Sequence, residues 1–173
     1  EKSDLDAIID FAVRVSESRR ALNYGPARVN VSVNTFVPKP HTPLQWSRME
    51  DAEKIADKQK YLKGRLKNSR IELNFHDRRM SFLEGVLSRG DRMLSEVISC
   101  AFKKGARFDA WGDSFAFEKW AEAFSEVGIN PGIYLRERPM AEPLPWDFID
   151  TGVNKDALSE EFEDCKLKCD KGS

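Results

Sequence analysis

The sequence predicts a helix-rich α/β protein, and three observations carry that reading. Val29, Val31, Val33 and Thr35 alternate with Asn30, Ser32, Asn34 and Phe36, a strand pattern with β-branched residues on one side. Ile71, Leu73 and Phe75 alternate with Glu72 and Asn74 in the same way. Between the two runs lies an amphipathic segment, and one helix between two strands fits a right-handed parallel βαβ unit.

The elements follow in order. Ser3 can cap a first helix whose positive end suits Asp4 and Asp6, and Leu5, Ile8, Ile9, Ala12, Val13 and Ser16 form its apolar face. Gly25-Pro26 ends that helix, and the strand over 29–36 follows. Pro38, Pro40 and Pro43 then remove backbone donors and fix φ, so the strand opens into a stiff loop carrying Lys39, His41, Thr42, Gln45 and Trp46. Small polar groups on one strand face beneath a rigid loop suggest the wall and rim of a cavity. The competing reading is a half-exposed strand followed by a proline-rich surface turn.

Ser47 and Glu50 stand at capping-box spacing ahead of a helix that turns Ala52, Ile55, Ala56, Gln59, Leu62 and Leu66 inward and ends near Asn68. Beyond Phe75 the rhythm is helical. Ser81 and Glu84 form a second capping box before Leu83, Val86 and Leu87. Asp91 caps a helix with Leu94, Val97, Ile98, Ala101 and Phe102 inward, closed by Gly105. Ser114 starts another, showing Phe117, Trp120, Ala121, Phe124 and Val127 and closed by Gly128. Residues 130–151 are dense in Pro and Gly and read as irregular chain anchored on the core by Leu144, Trp146, Phe148 and Ile149. Asn154 caps a short last helix containing Leu158 and Phe162.

A chain of 173 residues with 40% hydrophobic residues can bury one respectable core. Net charge is -1 although a third of the residues are charged, so no nucleic-acid or membrane partner follows from charge. No apolar run approaches the ~20 residues that span a bilayer, and the N-terminus lacks the apolar core of a secretory signal. A cytoplasmic protein is expected. Three cysteines make no disulfide framework. The first residue is Glu1, and two strands make a poor sheet on their own. Both features suggest a piece of a larger α/β structure, whose exposed strand edges could pair with another copy.

Few residues announce chemistry by spacing. His41 and His76 share no zinc spacing, and Cys165 and Cys169, near the C-terminal end, supply half of a zinc or iron–sulfur site at most and read as exposed free thiols. Cys100 reads as packing inside a helix. Arg89-Gly-Asp91 matches an adhesion tripeptide, but Asp91 has a structural use as a cap. Arg78, Arg79, Arg89 and Arg92 could gather around an anion or a nucleic acid, yet no glycine-rich phosphate cradle accompanies them. No nucleophile–base pair can be nominated, so no catalytic residue and no metal ligand is assigned.

The run VNVSVNTFVPKPHTPLQW at 29–46 resembles the late-barrel segment of radical SAM enzymes. The group most similar joins a cobalamin-binding domain to a radical SAM barrel. The likeness continues through SFLEGVLSRGDRMLSEVI, KKGARFDAWGDSF, FEKWAEAFSEVGI and LPWDFIDTGVNKD, and so covers most of the chain. In such enzymes a partial (β/α) barrel holds a [4Fe–4S] cluster on a Cys-x3-Cys-x2-Cys loop, and the cluster cleaves S-adenosylmethionine to begin radical chemistry. The resemblance implies that residues 1–106 are the C-terminal portion of that barrel and 107–173 a helical extension. It further implies that Ser32, Asn34 and Phe36 face the barrel interior near S-adenosylmethionine, while Lys39 and His41 sit at the rim where substrate enters. Cys-x3-Cys-x2-Cys is absent, so the cluster, and any cobalamin, would belong to the rest of the parent polypeptide. This chain alone would be inactive. A non-catalytic interaction module, docking through Trp111, Trp120 and Trp146, is the alternative.

Overall fold

A computed structural model gives the structure of residues 2–67, 69–109 and 111–171. The element order is α1 (Lys2–Ser18), β1 (Val29–Val33), α2 (Ala52–Arg65), β2 (Ile71–Phe75), α3 (Arg78–Arg89), α4 (Leu94–Lys103), α5 (Phe117–Val127), α6 (Gly132–Leu135) and α7 (Lys155–Lys171). Short 3-10 turns cover Arg19–Leu22 and Pro43–Trp46. The fold is therefore helix-rich α/β with one small parallel sheet among the described residues. No helix among them is long and apolar enough to cross a membrane. The chain divides into two compact units, one of Glu1–Thr35 with Glu50–Arg78 and one of Phe36–Met49 with Arg79–Ser173.

The first unit is α1, β1, α2 and β2. The strands pair in parallel with Val29 opposite Ile71 and Val33 opposite Phe75. Alternation sorts the side chains by face: the β1 valines and Ile71, Leu73 and Phe75 are buried or half-buried, while Asn30, Ser32, Glu72 and Asn74 are exposed. α1 packs on α2 and on both strands, and buries Ile9, Ala12 and Ser16, the face that its spacing predicts. Ser16 donates from Oγ to the carbonyl of Ala27 at 2.6 Å, tying the helix to the chain entering β1. Asp6 on α1 accepts from Tyr61 Oη and from Arg65 Nε on α2, both at 2.9 Å.

The second unit holds the larger core. Leu83 and Val86 of α3, Leu94, Val97 and Ala101 of α4, Trp120, Ala123 and Phe124 of α5, and Tyr134 of α6 form one cluster, which draws on residues either side of position 106. A second cluster joins Trp46 to Leu144, Trp146, Leu158 and Phe162, with the rings of Trp46 and Phe162 5.5 Å apart. The proline loop is clamped between them. Arg89, fully buried, donates to the carbonyls of Ser47 (2.6 Å) and Arg136 (3.0 Å), and Arg138 donates to the Arg89 carbonyl at 3.0 Å. Burial, together with neighbouring Arg138 and Arg136, pushes the Arg89 guanidinium down to about 10. Gly85 allows a close approach here: a Cβ would meet Leu135 Cδ2 and Met49 Sδ at 2.8 Å.

Several expectations need correction. β1 ends at Val33, before Thr35 and Phe36. Ser3 and Ser81 lie inside helices rather than capping them, Asp51 rather than Ser47 precedes α2, and Ala116 rather than Ser114 precedes α5. α2 ends at Arg65, and the expected terminus at Asn68 lies outside the described residues. Met93 rather than Asp91 precedes α4; Asp91 Oδ1 accepts from Met93 N at 2.9 Å in the turn before the helix, and Gly105 and Gly128 close their helices at φ of 88° and 75°. Ile98 and Phe102 of α4 and Ala121 of α5 are exposed, because each of these short helices buries only the stripe that faces the core. The last helix is long, at 17 residues. Phe148 and Ile149 do not anchor the 130–151 segment: they are 76% and 48% exposed, and of the four expected anchors Leu144 and Trp146 reach the core.

Candidate functional site

The residues singled out at the strand and loop divide between the two units. Ser32 belongs to the first, on the exposed face of β1 directly opposite Asn74, and exposed Asn34 follows the strand on the same alternation. That face offers hydroxyl, amide and carboxylate groups from Asn30, Ser32, Asn34, Glu72 and Asn74, with α1 and α2 on the side of the valines. A strand pair that is apolar on the helix side and polar on the other can present hydrogen-bonding groups to a ligand.

Phe36, Lys39 and His41 belong to the second unit. Phe36 is half-exposed and shares a groove of about 380 Å³ with Lys39, Val37, Pro43, Leu44 and Cys165 of α7. Its walls are mainly apolar. Lys39 pairs with Glu84 of α3, so its ammonium is already engaged. Of the two α7 thiols expected at the surface, Cys169 is exposed and Cys165 is half-buried.

His41 lies in a different depression, and here the backbone is unusual. Its φ is 55°, a left-handed conformation that non-glycine residues rarely adopt and that clusters at functional positions. Pro40 and Pro43 flank it, and the His41 amide donates to Gln45 Oε1 at 3.0 Å. Gln45 is buried, and the same oxygen accepts from Trp146 Nε1 at 2.7 Å. One buried amide thus fixes the loop to the 144–151 segment. Together they enclose a pocket of about 390 Å³, lined also by Asp147, Asp150, Thr151 and Lys155. Asp147 Oδ2 accepts from Leu144 N (2.8 Å) and Lys155 Nζ (2.6 Å). Burial pushes the Asp147 carboxyl up, but these donors and the nearby His41 outweigh it and hold the group below its ordinary value. Sequence reasoning missed Asp147, Asp150 and Lys155, because their only signal was position in a Pro/Gly-dense segment.

The remaining candidates separate. Arg89 is buried, so it cannot join Arg78, Arg79 and Arg92 at a surface. Trp120 and Trp146 are buried as well, which removes them from the docking face and leaves Trp111, 70% exposed, beside Phe108 at 73%. Among the described residues no group of three or more His, Cys, Asp or Glu is placed to hold a metal ion.

The chain is similar to an uncharacterized protein, MJ0966, of Methanocaldococcus jannaschii, at 24% identity over 132 residues. The match takes in 76% of this chain and 28% of that protein, so the chain spans less than a third of the curated relative. No family model matches the chain, and no solved structure matches it.

Proposed function

We propose that this chain is the C-terminal part of a cytoplasmic radical SAM enzyme, contributing late strands of a partial barrel (1–106) and a helical extension (107–173). The observation that carries the reading is the strand pair: parallel, helix-backed on the apolar side and polar on the open side. A barrel wall needs that combination, with helices outside and ligand-facing groups within. The extent of the archaeal relative, of which the chain covers 28%, supports a larger parent polypeptide.

Ser32 and Asn34, on the exposed face of the strand pair, fit the hydrogen-bonding groups of S-adenosylmethionine. When bound and reduced by an iron–sulfur cluster, that cofactor supplies radical initiation. The cluster does not fit this chain. Cys165 and Cys169 stand four residues apart on α7, Cys100 sits on α4, and no third thiol joins the pair. Its ligands, and any cobalamin site, therefore belong to the rest of the parent. Lys39 and His41 contribute to the substrate rim.

The test is anaerobic reconstitution of the native gene product with iron and sulfide, followed by S-adenosylmethionine and dithionite. The native product should release 5′-deoxyadenosine, and the 173-residue chain should release none. A native product without that activity, or a cluster on this chain alone absorbing near ~400 nm, contradicts the proposal. The alternative, a free-standing interaction module, is favoured by the exposure of Phe108 and Trp111. A native product whose intact mass corresponds to a start at Glu1 would select it.

A further inference from the structure

The His41 pocket carries a ligand assignment of its own. It shares His41 with the reading above but rests on the geometry of the second unit alone. Its walls are fixed before any ligand arrives, because Gln45 Oε1 holds both the His41 amide and the Trp146 indole. A volume of about 390 Å³ suits a small organic molecule.

The charges choose among ligands. Asp147 and Lys155 neutralise each other at 2.6 Å, and both donors to Asp147 meet Oδ2, so Oδ1 makes no hydrogen bond among the described residues. Asp150 accepts from Gly152 N through Oδ1 at 2.8 Å and has no cationic partner among the described residues. The pocket therefore keeps one unbalanced negative charge. From the loop side comes an imidazole whose nitrogens have no hydrogen-bond partner among the described residues; Nε2 is sealed from solvent, leaving Nδ1 open. On the outer side stand Phe148, Ile149 and Val153, at 76%, 48% and 50% exposure, apolar surface that the core leaves uncovered.

We propose that this pocket binds a small primary ammonium ion with an aryl or alkyl body. The charge lies against Asp150 and the free oxygen of Asp147, with His41 as a further acceptor, and the body lies on Phe148, Ile149 and Val153. An anionic ligand is disfavoured by the same two carboxylates, and a purely apolar one would leave the unpaired acceptors without donors.

The probe is phenethylammonium, titrated into the 15N-labelled chain, with 3-phenylpropionate as a probe of similar shape and opposite charge. The expected result is saturable shifts of the Trp146 indole N–H and of amides 147–155 with the amine, and binding at least about tenfold weaker for the carboxylate. Two variants sharpen the test. Asp150→Asn keeps the oxygen that accepts from Gly152 N while removing the charge, and should weaken the amine about tenfold. His41→Asn keeps a residue that tolerates positive φ while removing the imidazole, and should also weaken it. Equal binding of both probes, no saturable shift, or an Asp150→Asn variant that binds the amine undiminished would overturn the assignment. None of these outcomes bears on S-adenosylmethionine cleavage by the native product.

Discussion

The two units solve the same problem with unequal means. The first rests two five-residue strands on two helices, and its fully buried apolar residues are few: Ile9, Ala12, Ile55, Leu62 and Ile71. The second has two apolar clusters, and binds its loops through buried Arg89, Arg138 and Gln45. A parallel sheet normally has both faces covered and more strands. For that reason the first unit is proposed to be a portion of a larger sheet, whereas the larger unit closes on cores of its own. The difference locates both the proposed continuation of the chain and the proposed pocket.

The largest expected effect is in the closed unit. Trp46→Ala removes a fully buried indole from its Trp46–Phe162 cluster and should cost about 3–5 kcal/mol in urea unfolding. A cost below about 1 kcal/mol would mean that this cluster is not packed as described. Gly85→Ala comes next. Its Cβ would press on Leu135 and Met49, and a loss of about 1–3 kcal/mol is expected; an unchanged midpoint would show slack between α3 and the proline loop.

How much of this was legible in the sequence depends on which force set each element. Period-two alternation placed both strands, since one face had to leave water, and the single helix between them gave their parallel pairing. The apolar spacing of α1 gave its buried face correctly. Phe148 and Ile149 misled, because hydrophobicity says that a side chain prefers burial and cannot say whether a neighbour is there to cover it. Capping boxes misled for a related reason: Ser47 and Ser81 satisfy the pattern, but tertiary packing moved the helix starts. The His41 pocket was half visible. Three prolines marked a rigid loop, but its partners arrive about a hundred residues later through Gln45 and Trp146, a contact that no local pattern encodes.

In the first unit the expected effects are smaller. Ser16→Ala deletes the buried hydrogen bond to the Ala27 carbonyl and should cost about 1 kcal/mol by the same unfolding measurement. Less than a few tenths would show that this link does not hold α1 to the strand. The smallest effect is electrostatic. Hydrogen bonds from Tyr61 and Arg65 hold the Asp6 carboxyl below its ordinary value. A depressed carboxylate stabilises the fold above its unfolded pKa, and that contribution is lost as pH falls through the lower, folded one. Wild type should therefore lose more stability than Asp6→Asn on acidification below about pH 4. Identical acid profiles would place Asp6 outside the linkage between α1 and α2.

The most direct measurement concerns the proposed continuation of the sheet. Val29 N donates to Arg70 O on the β2 side, so by alternation the amides of Asn30 and Ser32 face the free edge of β1. Amide hydrogen exchange at Asn30 and Ser32 should be fast in the 173-residue chain and protected in the native gene product, where a further strand is proposed to pair with that edge. Equal and fast exchange in both would mean that the sheet ends where this chain ends it, and the barrel reading would fall with it.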